Sequence, residues 1–320
     1  MPKMLSEARI GRRVRFRDVQ VLLAVAQCGS MAKAAVQLGV TQPAVSEVIA
    51  ALESAFAVRL FDRGPQGVEP TIYGRALLKR GVVAFDELKQ GIRDIEFLAD
   101  PTTGEVRIGC PDSIATGILA PMIQQFCRDF PGIALRVDPI YIPTLEVPEL
   151  RTRKLDIVIG RLSEPRPHDH FADDLNVEIQ FDDETVIAAG ANSRWARRRK
   201  IALSELVDES WVVPPRESLP TILLEEVFQA SNLPVPKIRV ATFSVQLRTY
   251  LLTTSDFLTA IPRSMLRLNA CCAGLKALPV NLPIRNFPVA IVTLKHRTLG
   301  PVVELFLEHL RRLIKSIDVG

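Results

Sequence analysis

Residues 30–46 read SMAKAAVQLGVTQPAVS, and this segment predicts two short helices joined by a tight turn. Ser30 is placed to cap the first helix, and Gly39 can adopt the positive φ that a tight turn requires. Thr41 is placed to cap the second helix, and Pro43 falls in its first turn, where a missing N–H costs nothing. The segment therefore predicts a helix-turn-helix.

The flanking segments extend this unit on both sides. An amphipathic helix precedes it, because apolar residues recur at the spacing of one helical face: Val19, Leu22, Leu23 and Ala26. After it, residues 58–61 and 67–69 are typical of two short strands joined by a Gly-Pro-Gln turn. Such a hairpin is a wing, and Arg63 at its tip could reach a DNA minor groove. The sequence thus predicts a winged helix-turn-helix over residues 16–70.

Three spaced blocks in this region resemble the amino-terminal signature of LysR-type transcriptional regulators. They are SMAKAA at 30–35, LGVTQPAVS at 38–46 and LFDR at 60–63. The remaining length suits the co-inducer domain of that family, so the resemblance covers essentially residues 16–320.

The resemblance implies roles for individual residues on DNA. Residues facing base edges would be Gln42, Pro43 and Ala44. Residues holding phosphates would be Ser30, Lys33, Thr41 and Ser46, while Arg63 would enter the minor groove. Glu47 departs from the family, many members of which carry Arg or Lys after this serine. Its carboxylate would repel phosphate but could accept from a cytosine amine; alternatively it points to solvent or pairs with a neighbouring basic residue.

A long helix is predicted over residues 71–99, with Thr71 as its cap. Its apolar residues follow a seven-residue spacing along two seams: Leu78, Phe85, Ile92 and Ala99, then Leu88 and Ile95. It could pack on its own domain, but the charged residues between the seams favour an exposed pairing helix, although Gly81 weakens the pattern locally. The resemblance implies that this linker helix mediates a homodimer, and that dimers assemble into tetramers.

After a hinge at residues 100–104, strand and helix patterns alternate to the end of the chain. The resemblance implies a two-subdomain α/β effector domain over residues 105–320, like a type 2 periplasmic binding protein. Subdomain I would comprise 105–176 and 283–320, and subdomain II 177–282. The expected fold class is this α/β domain preceded by an all-α winged helix-turn-helix and a long linker helix.

Ligands in such folds bind at strand ends between the two subdomains. Candidates on one side are Asp112, Ser113, Thr116, Thr144 and Arg161, and those across the cleft are Pro214, Ser218, Phe243, Ser244 and Pro262. Arg161 would favour a carboxylate and Asp112 would accept from hydroxyls, so the expected effector is a sugar or a hydroxy or other organic acid. Alternatively, Asp112 caps its helix and Arg161 pairs with it structurally.

Composition limits the other classes of function. Forty basic and 36 acidic side chains give a net charge of +4, but residues 1–15 form a strongly basic arm that is either a solvated tail or a source of phosphate affinity. Five cysteines without a CxxC spacing indicate a reducing cytoplasm. No stretch approaches the roughly 18 apolar residues of a membrane span. We therefore expect no membrane partner.

Two further motifs carry weak signals. His168-Asp169-His170 could begin a metal site, but no third ligand follows at a suitable spacing, so a solvated loop is the better interpretation. The basic run 194–200 could be a second nucleic-acid patch, although such runs are mostly solvated faces. No nucleophile elbow supports a hydrolase. We expect no catalytic residue, metal or cofactor.

The sequence therefore predicts a cytoplasmic bacterial transcription regulator that binds double-stranded promoter DNA and responds to a small-molecule effector. RNA polymerase is a further partner to consider. The alternative is an anchored or secreted solute-binding protein, which would have no need of residues 16–70. The effector, the operator, the target genes and the direction of regulation do not follow from one sequence.

Overall fold

The computed structural model describes residues 14–64, 67–141, 146–162, 173–268, 272–282 and 286–318. The chain divides into two compact units, Met1–Ile92 and Arg93–Gly320. Among the described residues, no single helix is long and apolar enough to cross a membrane; only Met31–Leu38 and Gln42–Phe56 taken together would be, and the chain bends by 110° between them.

The first unit contains, in order, α1 Phe16–Cys28, α2 Met31–Leu38, α3 Gln42–Phe56, β1 Phe61–Gly64, β2 Gly67–Pro70 and most of α4 Ile72–Ala99, which continues beyond the division at Ile92. The predicted caps form. The Ser30 hydroxyl accepts from the N–H of Lys33, and Gly39 ends α2 with φ 65°. The Thr41 side chain accepts from Ala44 N, and the 110° bend between α2 and α3 is that of a helix-turn-helix.

The core of this unit is formed by one face of each of the first three helices and by the start of the wing: Val21, Leu22, Val25, Ala34, Val45, Ile49, Leu52 and Leu60. Of the four residues predicted to share one face of α1, Leu22 and Ala26 pack in this core, whereas Val19 and Leu23 lie toward α4. A Cβ at Gly81 of α4 would lie 2.8 Å from Val19 Cγ1 and 3.9 Å from Leu23 Cδ2. Gly81 therefore lets α4 approach α1 closely, and its presence is not a flaw in the helix.

The wing begins later than predicted. Strand β1 starts at Phe61 and pairs antiparallel with β2, with Arg63 opposite Val68. The preceding backbone is held against α3 instead, because Glu53 Oε1 accepts hydrogen bonds from the N–H groups of Leu60 at 2.7 Å and Phe61 at 3.2 Å. Residues 1–13 of the basic arm, Pro65, Gln66 and the Arg63 side chain lie outside the described part.

Helix α4 begins as predicted, with Thr71 Oγ1 accepting from Gly74 N at 3.1 Å. Its first half packs on its own unit, where Phe85 stacks on Phe16 with ring centroids 4.1 Å apart. Further along the helix, one stripe of apolar side chains is between 51% and 73% exposed: Leu88, Ile92, Ile95 and Leu98. The first part of the helix therefore packs on its own domain, as one interpretation expected, and the later part carries the exposed apolar stripe that the pairing interpretation requires.

The second unit contains strands β3 Gly104–Cys110, β4 Ile133–Pro139, β5 Ile157–Arg161, β6 Leu175–Asp183, β7 Thr185–Gly190, β8 Ser210–Val213, β9 Ile238–Ala241, β10 Phe257–Pro262, β11 Leu275–Ala277 and β12 Phe287–Leu294. Helix α5 runs through Asp112–Ile114, a π-type turn at Ala115–Leu119 and Ala120–Asp129. The later helices are α6 Pro148–Arg151, α7 Leu219–Ala230, α8 Val245–Thr254, α9 Arg263–Leu268 and α10 Pro301–Asp318.

These strands form two five-stranded sheets, in the orders β4-β3-β5-β12-β6 and β11-β7-β10-β8-β9. In the first sheet β3 is parallel to β4 and β5, whereas β12 is antiparallel to β5 and β6. In the second, β8 is parallel to β9 and β10, and β7 is antiparallel to β10 and β11. This is the expected two-subdomain α/β architecture.

The boundary between the subdomains differs from the prediction. Subdomain II was expected to begin near Val177, but that residue lies in β6, which pairs with β12 from Leu175 to Asp183. The chain crosses to the second sheet only after Asp183, and β7 begins at Thr185. Long-range pairing with β12 fixes this boundary, and local sequence does not reveal such pairing. The chain returns to the first sheet at β12, and residues 283–285 before it lie outside the described part.

Candidate functional site

A cavity of about 250 Å³ lies between the two sheets of the second unit, at the ends of strands β3, β4 and β5. Among the residues that line it, seven were predicted from sequence: Asp112, Ser113, Arg161, Pro214, Ser218, Phe243 and Pro262. Nine were missed: Pro111, Pro139, Ile140, Tyr141, Thr185, Leu219, Pro220, Arg248 and Phe287. Predicted and missed residues occur in both subdomains, so the positions after strand ends were informative on each side of the cleft.

Two of the predicted residues that the structure describes, Thr116 and Ser244, do not line the cavity. Thr116 lies one helical turn beyond Asp112 and its hydroxyl donates to Asp112 Oδ1 at 3.4 Å. Ser244 caps α8, where its Oγ accepts from Leu247 N at 3.2 Å. Thr144 lies outside the described residues.

Asp112 connects the two subdomains. It follows β3 in the first subdomain, and its Oδ2 accepts a 2.9 Å hydrogen bond from the backbone N–H of Val245, the first residue of α8 in the second. Neither part of the alternative proposed from sequence holds, because Asp112 accepts from the first N–H of α8 and makes no cap hydrogen bond in its own helix, and Arg161 pairs with another carboxylate.

The partner of Arg161 is Asp183, at the end of β6. The Arg161 Nη2 and Nε atoms lie 2.6 Å and 3.0 Å from Asp183 Oδ2, while Nη1 donates to Ser113 Oγ and Nη2 to Ser264 Oγ, both at 3.1 Å. The two side chains of this ion pair are only 11% and 2% exposed. Burial lowers the pKa of Arg161, and the charge of Asp183 opposes that shift. Arg161 is thus neutralised within the protein, contrary to the expectation that it attracts an effector carboxylate.

Arg248, which the sequence reasoning missed, contributes a second guanidinium to the cavity wall. The residue is 4% exposed, and burial lowers its pKa to about 10, against the opposing charge of Asp112. Its Nε has no hydrogen-bond partner among the described residues. Val245, Arg248 and Leu252 form the buried face of α8, so an arginine at the i+3 position of an apolar helix face was the available signal.

Tyr141 spans the cleft as a second missed residue. It follows β4, its ring packs against Phe243 with centroids 4.8 Å apart, and its hydroxyl donates to the carbonyl of Glu217. Burial raises the pKa of this phenol, and the charge of Glu217 raises it further. The two aromatic rings therefore form one wall of the cavity, made from both subdomains.

The start of α3 forms the candidate DNA surface of the first unit. Thr41, Gln42 and Pro43 are exposed, as are Lys33 and Glu47, whereas Ser30, Ala44 and Ser46 are half-buried. The Ser46 hydroxyl donates to Met31 Sδ at 3.3 Å and is therefore directed toward α2. In the described part of the chain Glu47 forms no ion pair. Two interpretations of the Glu47 carboxylate therefore remain: that it points to solvent, and that it accepts from a cytosine amine.

The described residues give no support for a binding site at either of the two weak motifs, residues 168–170 and 194–200. Within the described ranges, no group of three or more His, Cys, Asp or Glu side chains could hold a metal ion, and residues 168–170 lie outside them. In the basic run, Arg194 pairs with Glu209 and Arg198 with Glu205, and both guanidinium groups lie over the ring of Trp195. These contacts favour a structural role for the run.

Two family models match the chain. The bacterial regulatory helix-turn-helix protein, lysR family, matches residues 16–75, and the LysR substrate binding domain matches residues 99–315. The chain belongs to the LysR family of transcriptional regulators. This LysR protein is thus a DNA-binding transcriptional regulator with a substrate-binding domain, as predicted, and the match over residues 16–75 counts against the solute-binding alternative. Members of this family are in general regulators and not enzymes.

Relatives and solved structures agree with this assignment. The LysR protein is 32% identical over 251 residues to the HTH-type transcriptional regulator TdcA of Escherichia coli K12, covering 78% of each chain. It is 26% identical over 301 residues to the regulator GbpR of Azospirillum brasilense, covering 93% of this chain and 86% of that one. Full-length CbnR in complex with its target DNA has the same fold, with a TM-score of 0.62, 18% identity and coverage of 93% and 99%.

Proposed function

We propose that this regulator binds its small-molecule effector in the cavity between the two sheets, and that binding there changes its DNA binding or its transcriptional output. The observation that carries the proposal is that hydrogen bonds from one subdomain to the other lie along the cavity wall. Asp112 accepts from Val245 N, Arg161 donates to Ser264, and Tyr141 donates to Glu217. A ligand in the cavity would touch residues of both subdomains at these points.

Such a ligand shifts a conformational equilibrium only by the difference between its affinities for the two states. A cavity whose walls come from both subdomains meets this requirement, since any change in their separation alters the ligand contacts.

We propose that the start of α3 reads the operator. Base edges would be contacted by Gln42, Pro43 and Ala44, phosphates by Ser30, Lys33 and Thr41, and the minor groove by Arg63. The exposure of residues 41–43 supports this proposal. The hydrogen bond between Ser46 and Met31 makes Ser46 the weakest of the proposed phosphate contacts. Glu47 is free to accept from a cytosine amine.

We further propose that the exposed stripe on α4, Leu88, Ile92, Ile95 and Leu98, pairs with the same stripe of a second copy. The helix has 28 residues and is about 42 Å long at 1.5 Å per residue, comparable to one turn of DNA. A homodimer would place two recognition helices on successive major grooves, and tetramers would form from such dimers. The regulator would act in the cytoplasm on promoter DNA, beside RNA polymerase and without catalysis of its own.

The cavity assignment is tested by filling the cavity. A panel of organic acids and sugars is screened by the shift in melting temperature, and the compounds that bind are then tested for their effect on DNA affinity. Leu219→Trp places a larger side chain in the cavity wall and should abolish both effects. The control Ile179→Ala, at an exposed position on β6, should retain them. A full ligand response in Leu219→Trp would place the effector elsewhere.

A further inference from the structure

The two buried arginines of the cavity differ in how their hydrogen-bonding capacity is used. The guanidinium of Arg161 donates to Asp183, Ser113 and Ser264. That of Arg248 is 4% exposed, and no hydrogen bond or ion pair joins it to a described residue. A guanidinium presents several N–H donors and no acceptor, and it remains charged at neutral pH even with its lowered pKa. A buried, unbonded cation therefore faces the cavity.

Two titratable side chains, Asp112 and Cys272, act on Arg248 through their charge, and the Asp112 carboxylate already accepts hydrogen bonds from other groups. Its Oδ2 accepts from Val245 N at 2.9 Å and its Oδ1 from the hydroxyl of Thr116 at 3.4 Å. The charge of Asp112 lowers the electrostatic cost of burying Arg248, but Asp112 accepts no hydrogen bond from the guanidinium N–H groups. An incoming acceptor group can supply the missing bonds, because charge-assisted hydrogen bonds to arginine are strong and often bidentate.

The rest of the wall offers little to a molecule covered in hydroxyls. Five prolines lack an N–H donor: Pro111, Pro139, Pro214, Pro220 and Pro262. Ser113 Oγ accepts from Arg161, and Ser218 Oγ donates to Thr221 at 3.1 Å. The wall is completed by Thr185 and by aromatic and aliphatic side chains, among them Ile140, Tyr141, Leu219 and Phe243. These surfaces fit a compact apolar body.

We propose that Arg248 binds the carboxylate of the effector, and that the effector is a small organic acid with an apolar body and not a sugar. A single negative charge matches the one unbonded guanidinium among the described residues of the cavity wall, whereas a dianionic phosphate would be repelled more strongly by the carboxylate of Asp112. This inference rests on the proposed function, since it takes the cavity as the effector site.

A first test needs no ligand. Arg248→Met removes the cation but keeps a long apolar side chain, and Arg161→Met is the matched control at the bonded arginine. If Arg248 awaits an external anion, the full-length Arg248→Met variant keeps or raises its melting temperature, because no internal bond is lost. Arg161→Met should lower it. A fall in the melting temperature of Arg248→Met would mean that this arginine stabilises the fold, and would overturn the inference.

The second test uses pairs of probes that differ only in charge. Phenylacetate, 3-phenylpropanoate and 4-methylpentanoate are titrated calorimetrically into the full-length protein beside their amides and beside glucose. We expect at least one acid to bind ten times or more tightly than its amide, and Arg248→Met to abolish that difference. Equal binding of acid and amide, binding of glucose alone, or no binding of any acid would overturn the inference. If glucose binds and the Leu219→Trp variant loses that binding, the cavity remains the effector site and only the inference about the carboxylate fails.

Discussion

Asp183 accepts two hydrogen bonds from the guanidinium of Arg161 through a single oxygen, Oδ2, at 2.6 Å and 3.0 Å. The same carboxylate accepts from the N–H and the hydroxyl of Ser264, at 3.1 Å and 2.6 Å. Asp183 ends β6, the edge strand of the first sheet, and Ser264 lies on α9 of the second subdomain. The ion pair and its hydrogen bonds therefore also connect the two subdomains beside the cavity.

Asp183→Ala should destabilise the second unit strongly. It leaves Arg161 buried without its counter-ion, and breaking a buried pair from one side typically costs about 3–5 kcal/mol. The free energy of unfolding from urea denaturation measures the loss. As a control, Arg216→Ala removes an exposed partner of Glu225 and should change stability by less than about 1 kcal/mol. Equal effects of the two variants would contradict the structural role of Asp183.

Two glycines of α4 should respond in opposite ways to a side chain. A Cβ added at Gly91 would meet no other atom within 4 Å, so Gly91→Ala should stabilise the helix by about 0.5–1 kcal/mol. Gly81 contacts Val19, so Gly81→Leu should destabilise the first unit by about 1–3 kcal/mol through overpacking. Thermal unfolding followed by circular dichroism distinguishes them. A gain in stability for Gly81→Leu would mean that α1 and α4 do not pack as described.

The stability of the second unit should fall in acid partly through Asp156. Burial raises the pKa of this carboxyl, but hydrogen bonds and charge from Arg107, and charge from Arg297, outweigh burial and lower it below its usual value. Ionised Asp156 therefore contributes its full stabilisation above the pKa that this carboxyl has in the unfolded chain, about 3.9. The contribution is lost as the pH falls below about 3.9 toward the lower pKa of the folded state. Asp156→Asn should be less stable at pH 7 and should lose less stability between pH 5 and pH 3. Parallel pH profiles of the two proteins would contradict this assignment.

The exposed stripe of α4 should control self-association. Ile95→Glu places a charge in the middle of the stripe, where a paired partner would have to desolvate it, and should shift the protein toward monomers. Sedimentation velocity across a concentration series measures the shift. The neighbouring exposed position provides a control, Glu96→Gln, which should assemble as the unmodified protein does. Unchanged assembly of Ile95→Glu would remove this stripe from the interface.

Local chemistry explains why the helix-turn-helix could be read from sequence. The caps at Ser30 and Thr41 and the left-handed Gly39 act within a few residues of their own positions, and all three formed as expected. The cavity was predictable where residues follow the ends of strands, and this held in both subdomains, as for Asp112 and Pro214. For Arg248 the local signal was its position on the apolar face of α8, but whether that face lines the cavity depends on how α8 packs across the cleft.

Long-range pairing limited the remaining predictions. The partner of Arg161 is Asp183, which reaches it only because β6 pairs with β12 from the end of the chain. The predicted subdomain boundary at Val177 failed for the same reason. Gly81 was interpreted as a weak point in a seam, because its contact with Val19 becomes visible only when α1 and α4 are packed together.

Specific binding of DNA by the start of α3 is the central claim, and fluorescence anisotropy tests it most directly. The purified protein is titrated against the DNA upstream of its own gene and against a scrambled duplex of equal length, at about physiological salt. We predict at least tenfold tighter binding to the native duplex, and a loss of that preference in Gln42→Ala with binding to the scrambled duplex retained. Equal affinity for both duplexes with the unmodified protein, or a full preference in Gln42→Ala, would contradict the account.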